Sequence, residues 1–265
     1  MKLFFFLLLF HPLDSSALSP EEFRAFVRVD PRVSIELRGF VDDGVRLPDR
    51  YIQSFEALML ERLFNDKRAF TSRRLLCTPS TVVTFLPSAG IPLGADANGQ
   101  TRATVAAFEA GIVRIESVGC LSGQVADSAL AISMNPTFQM KVVRELQESR
   151  LQGGLTCDRT SVPLVGTSRY CYKSTTRQDS SDAYLFTQNV SNAPLAQAGA
   201  PVFYRSMLLS FHNRGDHTVS HLIAYVRGST IGPLLRGLAR LTIKKTQSRS
   251  LRELQAALAQ SKASL

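Results

Sequence analysis

The stretch VFYRSMLLSFHNRGDHTVSHLIAYVR, residues 202–227, constrains the fold more than any other. Two runs rich in aromatic and β-branched residues flank the turn-forming cluster NRGD, which is the pattern of an antiparallel hairpin. With Arg214-Gly215 at the tip, His212 stands opposite His217 and Tyr204 opposite Tyr225. One face then carries Phe203, Arg205, Met207, Leu209 and Phe211, set against Thr218, Ser220, Leu222, Ala224 and Val226. The other carries Tyr204, Ser206, Leu208, Ser210 and His212. The first face is the more apolar and is predicted to point inward. Its exception is Arg205.

Upstream, segments of similar texture are separated by GADANGQ, RQDSSD and SNAPLAQAGAP. RLLCTP, TVVTFLP, ATVAAFEAGIVRIES, SRYCYKSTT and AYLFTQNV read as strands of an antiparallel meander, and MKVVRELQESRLQGG as a further strand with a helical alternative. Before residue 70 the pattern differs. LSPEEFRAF predicts a helix capped by Ser19, and RVSIELRGFV a strand. LPDRYIQSFEALMLERLFND predicts an amphipathic helix burying Ile52, Phe55, Leu58, Met59 and Leu63.

The chain ends in GPLLRGLARLTIKK, residues 232–245, where Leu234, Leu235, Leu238 and Leu241 form one stripe and Arg236, Arg240 and Lys244 another. Leu251, Leu254 and Leu258 fall almost opposite the first leucine stripe if the helix is straight. The weakly helical TQSRS between them, with Ser250 and Glu253 spaced as a capping box, predicts a bend or break near 246–250.

MKLFFFLLLFHPLDSSALS has a basic start, an apolar run from Leu3 to Phe10 and small residues at 15 and 17, the pattern of a secretory signal cleaved after Ala17. The apolar run is too short to span a bilayer. Lysine and arginine exceed aspartate and glutamate by 31 to 22, a net charge of +9, which removal of residues 1–17 leaves unchanged. That charge favours an anionic surface, and secretion argues against nucleic acid. Cys77, Cys120, Cys157 and Cys171 permit two disulfides in three pairings; the turn residues between Cys157 and Cys171 favour that pair, with buried thiols as the alternative.

Four segments share their order with one family. SVPLVGTSRYCYKS, AYLFTQNVSNAP, VFYRSMLL and SHLIAYVRGSTIGPLLRGL resemble successive strands, the Gly-Ser link and the last helix of the START lipid-transfer family, within the helix-grip superfamily. The resemblance spreads over roughly residues 70–260. Tyr170 stands where the family usually has aspartate, tryptophan is absent throughout, and Pro233 lies later than the family's link proline. The resemblance implies an α+β helix-grip fold: a curved antiparallel sheet around a long C-terminal helix, with helices N-terminal to it. With the signal at 1–17, it leaves an N-terminal segment at 18–68 and a START-like lipid-binding domain at 69–262. It also implies an apolar tunnel for one lipid or sterol, gated by the loop at 191–201 and the C-terminal helix.

On that reading Phe203, Met207, Leu209, Leu222, Ala224, Leu234 and Leu238 line the tunnel, and Arg205 meets the ligand's polar end. An internal ion pair is the plainer role for Arg205. Arg236, Arg240 and Lys244 would contact an anionic membrane, or be only a solvated helix face. His212, His217 and His221 lack a further ligand at metal spacing, and RGD at 214–216 is also ordinary turn chemistry. Asn189-Val190-Ser191 is a glycosylation sequon. No G-x-S-x-G, H-E-x-x-H, P-loop or dinucleotide fingerprint occurs. The expectation is a secreted, monomeric carrier with no cofactor, no metal and no catalytic set. A helix-grip cyclase or hydrolase, or an interaction module with a filled core, are the alternatives.

Overall fold

The computed structural model describes residues 19–27, 41–42, 45–72, 77–162, 166–191, 204–227 and 233–263. The signal, most of the strand expected at 32–41, Phe203 and the loop at 192–203 lie outside them. Helix α1 (Pro20–Phe26) starts at a reciprocal cap: the Glu22 amide donates to Ser19 Oγ at 3.1 Å and the Ser19 amide to Glu22 Oε2 at 2.8 Å. Two short strands follow, β1 (Val41–Asp42) and β2 (Val45–Arg46). Helix α2 (Asp49–Ser72) has Ile52, Phe55, Met59 and Leu63 on one face, all fully buried.

The main sheet has eight antiparallel strands: β3 (Ser80–Phe85), β4 (Ile112–Ser122), β5 (Leu146–Gln152), β6 (Leu155–Val162), β7 (Gly166–Gln178), β8 (Asp182–Ser191), β9 (Tyr204–Arg214) and β10 (His217–Arg227). Their order is β3-β4-β10-β9-β8-β7-β6-β5. Three helices interrupt the meander: α3 (Gly99–Ala110), α4 (Ala126–Ser133) and α5 (Pro136–Val142). The last, α6, runs unbroken from Pro233 to Ala263. The architecture is α+β, a curved sheet holding a long C-terminal helix.

Three sequence readings change. Residues 99–110 are helical because Asn98 accepts from the Thr101 amide at 2.8 Å and alanines fill the turn, while Val105 and Phe108 are buried three residues apart. The 140–154 segment divides into the end of α5, started by Asn135 and Pro136, and strand β5. The hairpin closes one residue later than expected, with Arg214 paired to His217 around Gly215-Asp216 and Gly215 at φ +61°. His212 therefore opposes Val219, and Arg205 opposes Val226. The shift moves every pair by two positions, so each side chain keeps the face assigned to it.

Both faces of the sheet are covered. The even-numbered face of β9 lies under α2, where Tyr204, Leu208, Ile223 and Tyr225 share one core with Phe23, Ile52, Phe55 and Met59. The odd-numbered face lies toward α6, which packs on β3, β4, α4 and α5. Two disulfides fasten the strands: Cys157 to Cys171, directly opposed on β6 and β7, and Cys77 to Cys120, joining the approach to β3 with β4. Loops separated by 14 and 43 residues give entropic stabilisations of about 3 and about 4 kcal/mol. Replacing Cys157 and Cys171 by serine is expected to lower the urea-unfolding free energy by about 3 kcal/mol. An unchanged midpoint would show that the β6–β7 ladder alone fixes this edge.

Candidate functional site

The apolar residues of α6 do not form one continuous stripe. At its C-terminal half, Leu254 and Leu258 enter a packed cluster with Leu121, Leu130, Leu185 and Phe211. Nearer its start, Ile243 enters another with Val83, Val113, Ile115 and Ala224. The residues linking these anchors on the same face are Gln247 and Ser250, which are poor partners for an apolar sheet. Between the two clusters the helix bridges a cavity of about 420 Å³.

Strands β8, β9 and β10 supply its apolar floor: Leu185, Met207, Leu209, Phe211 and Leu222. Helix α6 supplies a largely polar roof from Thr246, Gln247, Ser248 and Ser250, with Lys244 at the rim and Leu251 and Leu254 beyond. Phe138, Gln139 and Val142 of α5 form one wall. Gly119 on β4 permits the close approach of α6, since a Cβ there would sit 2.6 Å from Leu251 Cδ1.

One end of the cavity is charged. Arg205 and Asp158 both line it, with Tyr170 directly opposite Asp158 in the β6–β7 register. The Arg205 guanidinium rests over the Tyr172 ring, 5.2 Å from its centre, and Nη2 reaches Met207 Sδ at 3.3 Å. Asp158 is buried and accepts from Ser149 Oγ at 2.6 Å. Burial pushes its carboxyl upward, opposed by the Ser149 hydrogen bond, the Arg205 charge and the two tyrosine hydroxyls. Burial likewise pushes the Tyr172 phenol up to about 12. Tyr172 donates to Gln139 Oε1 at 3.1 Å, joining this end to the α5 wall.

Of the residues expected to line a tunnel, Arg205, Met207, Leu209 and Leu222 do so. Ala224 instead belongs to the solid cluster around Ile243. Phe203 and the Leu234 side chain lie outside the described residues. Leu238 and Leu241 are exposed, at 62% and 57%, where they were expected to close the tunnel. The unbroken helix explains the reversal: Leu254 and Leu258 set its rotation, and Leu238 and Leu241, half a turn out of phase, face away. The arginines expected to face outward instead lean on Phe85, with the Arg236 and Arg240 guanidinium centres 5.2 and 5.4 Å from its ring centre.

Sequence reasoning missed Asp158 and the polar roof. Asp158 gave no signal, but the roof did: TQSRS, read as a break, is the part of the helix that faces the hollow.

Beneath α2, on the opposite face of the sheet, lies a buried charged network. His212 Nδ1 is 3.0 Å from Asp182 Oδ2, and His212 Nε2 is 2.9 Å from Ser210 Oγ. Tyr184 donates to Asp182 Oδ2 at 2.9 Å and Arg214 to Oδ1 at 3.1 Å, so the arginine of the RGD turn is engaged internally. Lys67 lies 4.5 Å over the Tyr184 ring, brought down to about 8 by burial. Phe70 stacks on His221 at 3.4 Å, and His221 Nε2 is 3.4 Å from Glu116 Oε1. The Ser210–His212–Asp182 order imitates a hydrolytic triad, yet Ser210 is fully buried and faces away from the cavity. Asn189 of the sequon is also buried, at 3% exposure.

No family model matches the chain, and no curated protein matches it. Solved structures do. Human StAR-related lipid transfer protein 5 is 15% identical with a TM-score of 0.45, over 78% of this chain and 98% of that one. A START superfamily protein from Mycobacterium smegmatis is 11% identical with a TM-score of 0.41, over 54% and 98% of the two chains. Human STARD10 is 10% identical with a TM-score of 0.40, over 53% and 64%.

Burial holds His221 at about 4, below the ordinary 6.5, and lowers His212 as well. Both are neutral when folded at pH 7, and the unfolded chain takes up their protons first as pH falls. Stability is therefore fully present above 6.5 and lost progressively toward 4. Glu116, held down to about 2 with His221 and Arg114 beside it, adds its loss only in stronger acid. Urea midpoints measured across pH 7 to 4 are expected to fall, and to fall less in His221→Gln. An equal fall in that variant would remove His221 from the account.

Proposed function

We propose that this chain is a carrier that binds one lipid-like amphiphile between its sheet and α6. The observation that carries the reading is the cavity itself, whose size lies in the range of small-ligand sites at about 300–1,000 Å³. Its apolar floor takes a hydrocarbon body at about 25 cal/mol per Å² buried. Its polar roof and the Arg205–Asp158 end orient a head group. Among the described residues, the Ser210–His212–Asp182 arrangement, which resembles a catalytic set, is separated from the cavity by the sheet.

Two further features belong to the same proposal. The paired cysteines suit an oxidising compartment, in keeping with secretion. Helix α6 carries the exposed cations Lys244, Lys245 and Arg252, and it exposes Leu238 and Leu241. That combination suits contact with an anionic membrane where cargo is exchanged. Among the described residues no helix is long and apolar enough to cross one.

Native mass spectrometry after incubation with mixed-lipid vesicles is expected to show a one-to-one adduct. Leu209→Trp, which fills the floor of the cavity, is expected to weaken uptake by about tenfold or more, with an unchanged circular dichroism spectrum. A folded wild-type protein that takes up nothing from the vesicles would contradict the proposal.

A further inference from the structure

The carrier reading leaves the kind of cargo open, and three features of the cavity narrow it. The first is capacity. At about 30 Å³ for each water-sized group, a cavity of about 420 Å³ holds about fourteen such groups. That accommodates one medium-length chain with its head.

The second feature is charge. Among the described residues, the fixed charges lining the cavity are the cations Arg205 and Lys244 and the acid Asp158, which leaves an excess of one positive charge. The third is the state of Arg205. Its guanidinium is oriented by the Tyr172 ring and the Met207 sulfur, neither of which neutralises it. Asp158 feels its charge, but that carboxyl is engaged by the Ser149 hydroxyl and the phenols of Tyr170 and Tyr172. The donors left for a guest at this end are therefore those of the guanidinium fork, with the hydroxyls of α6 across the cavity able to donate or accept. A planar monoanion accepts from two arms of that fork at once, whereas a neutral alcohol offers one acceptor and leaves the positive excess in place.

We propose that the cargo is a single-chain carboxylate of about twelve carbons, its head on Arg205 and its tail along Met207, Leu209 and Leu222 under α6. The proposal rests on the carrier reading and goes further by naming the class of head and the number of chains.

The test is calorimetric titration of the purified full-length protein with dodecanoate, dodecanol and dodecyltrimethylammonium below their micelle concentrations, with phosphatidylcholine vesicles as a two-chain arm. Dodecanoate is expected to bind one-to-one, about tenfold or more tighter than dodecanol, with no uptake of the cation or the phospholipid. Arg205→Gln is expected to lose that tenfold advantage, binding dodecanoate no tighter than dodecanol, with a circular dichroism spectrum unchanged from the wild type to show that the variant is folded. Lys244→Gln, at the rim, is expected to lose about threefold for dodecanoate alone. Equal binding of dodecanoate and dodecanol, or an Arg205→Gln variant that keeps the preference, overturns the head-group assignment and leaves the carrier reading intact. Uptake of phosphatidylcholine in place of dodecanoate overturns the single-chain assignment in the same way. Binding of none of the four probes overturns both.

Discussion

The anchoring of α6 at its two ends sets the rest of this structure. Ile243 is fixed among β3, β4 and β10 residues at one end, and Leu254 and Leu258 among α4, β4, β8 and β9 residues at the other. An unbroken helix pinned at two points cannot sag between them without losing backbone hydrogen bonds. Its middle presents Gln247 and Ser250 to the gap, while Leu251 lies against Gly119. The hollow is thus a product of helix stiffness and of the polar residues placed where a core would otherwise continue.

The two faces of the sheet show contrasting uses of buried polarity. Under α2, the histidines, Asp182, Glu116 and Tyr184 are tightly engaged with one another and with aromatic rings, and the space is filled. Such a network favours one docking of α2 over others and resists rearrangement. On the α6 face, Arg205, Asp158 and Tyr170 border open volume. The Arg205 guanidinium there meets a ring and a sulfur and, among the described residues, no carboxylate oxygen, and that difference separates a structural cluster from a candidate site, even where the structural one has the more suggestive residue types.

Much of this was legible in the sequence. The hairpin alternation placed Arg205, Met207, Leu209 and Leu222 on one face, and the placement survived a misjudged turn because the slip was two residues. The Cys157–Cys171 pair, the Ser19 cap and the buried stripe of α2 were also readable, each from local spacing. The orientation of α6 was not, because two leucine stripes competed and only tertiary packing could decide between them. A helix was assumed to bend where it bridges a cavity instead. Asp158 was invisible for a related reason: one acid in an alternating strand has no spacing signal, and its importance comes from Tyr170 and Arg205 on two other strands.

The central claim is that space exists between β9 and α6. A crystal structure of the protein under xenon pressure measures this most directly, because xenon occupies hollows lined by aliphatic side chains. Xenon density bounded by Leu209, Leu222 and Leu251 is the predicted result. Those three side chains in mutual van der Waals contact, with no xenon between them, would contradict the account.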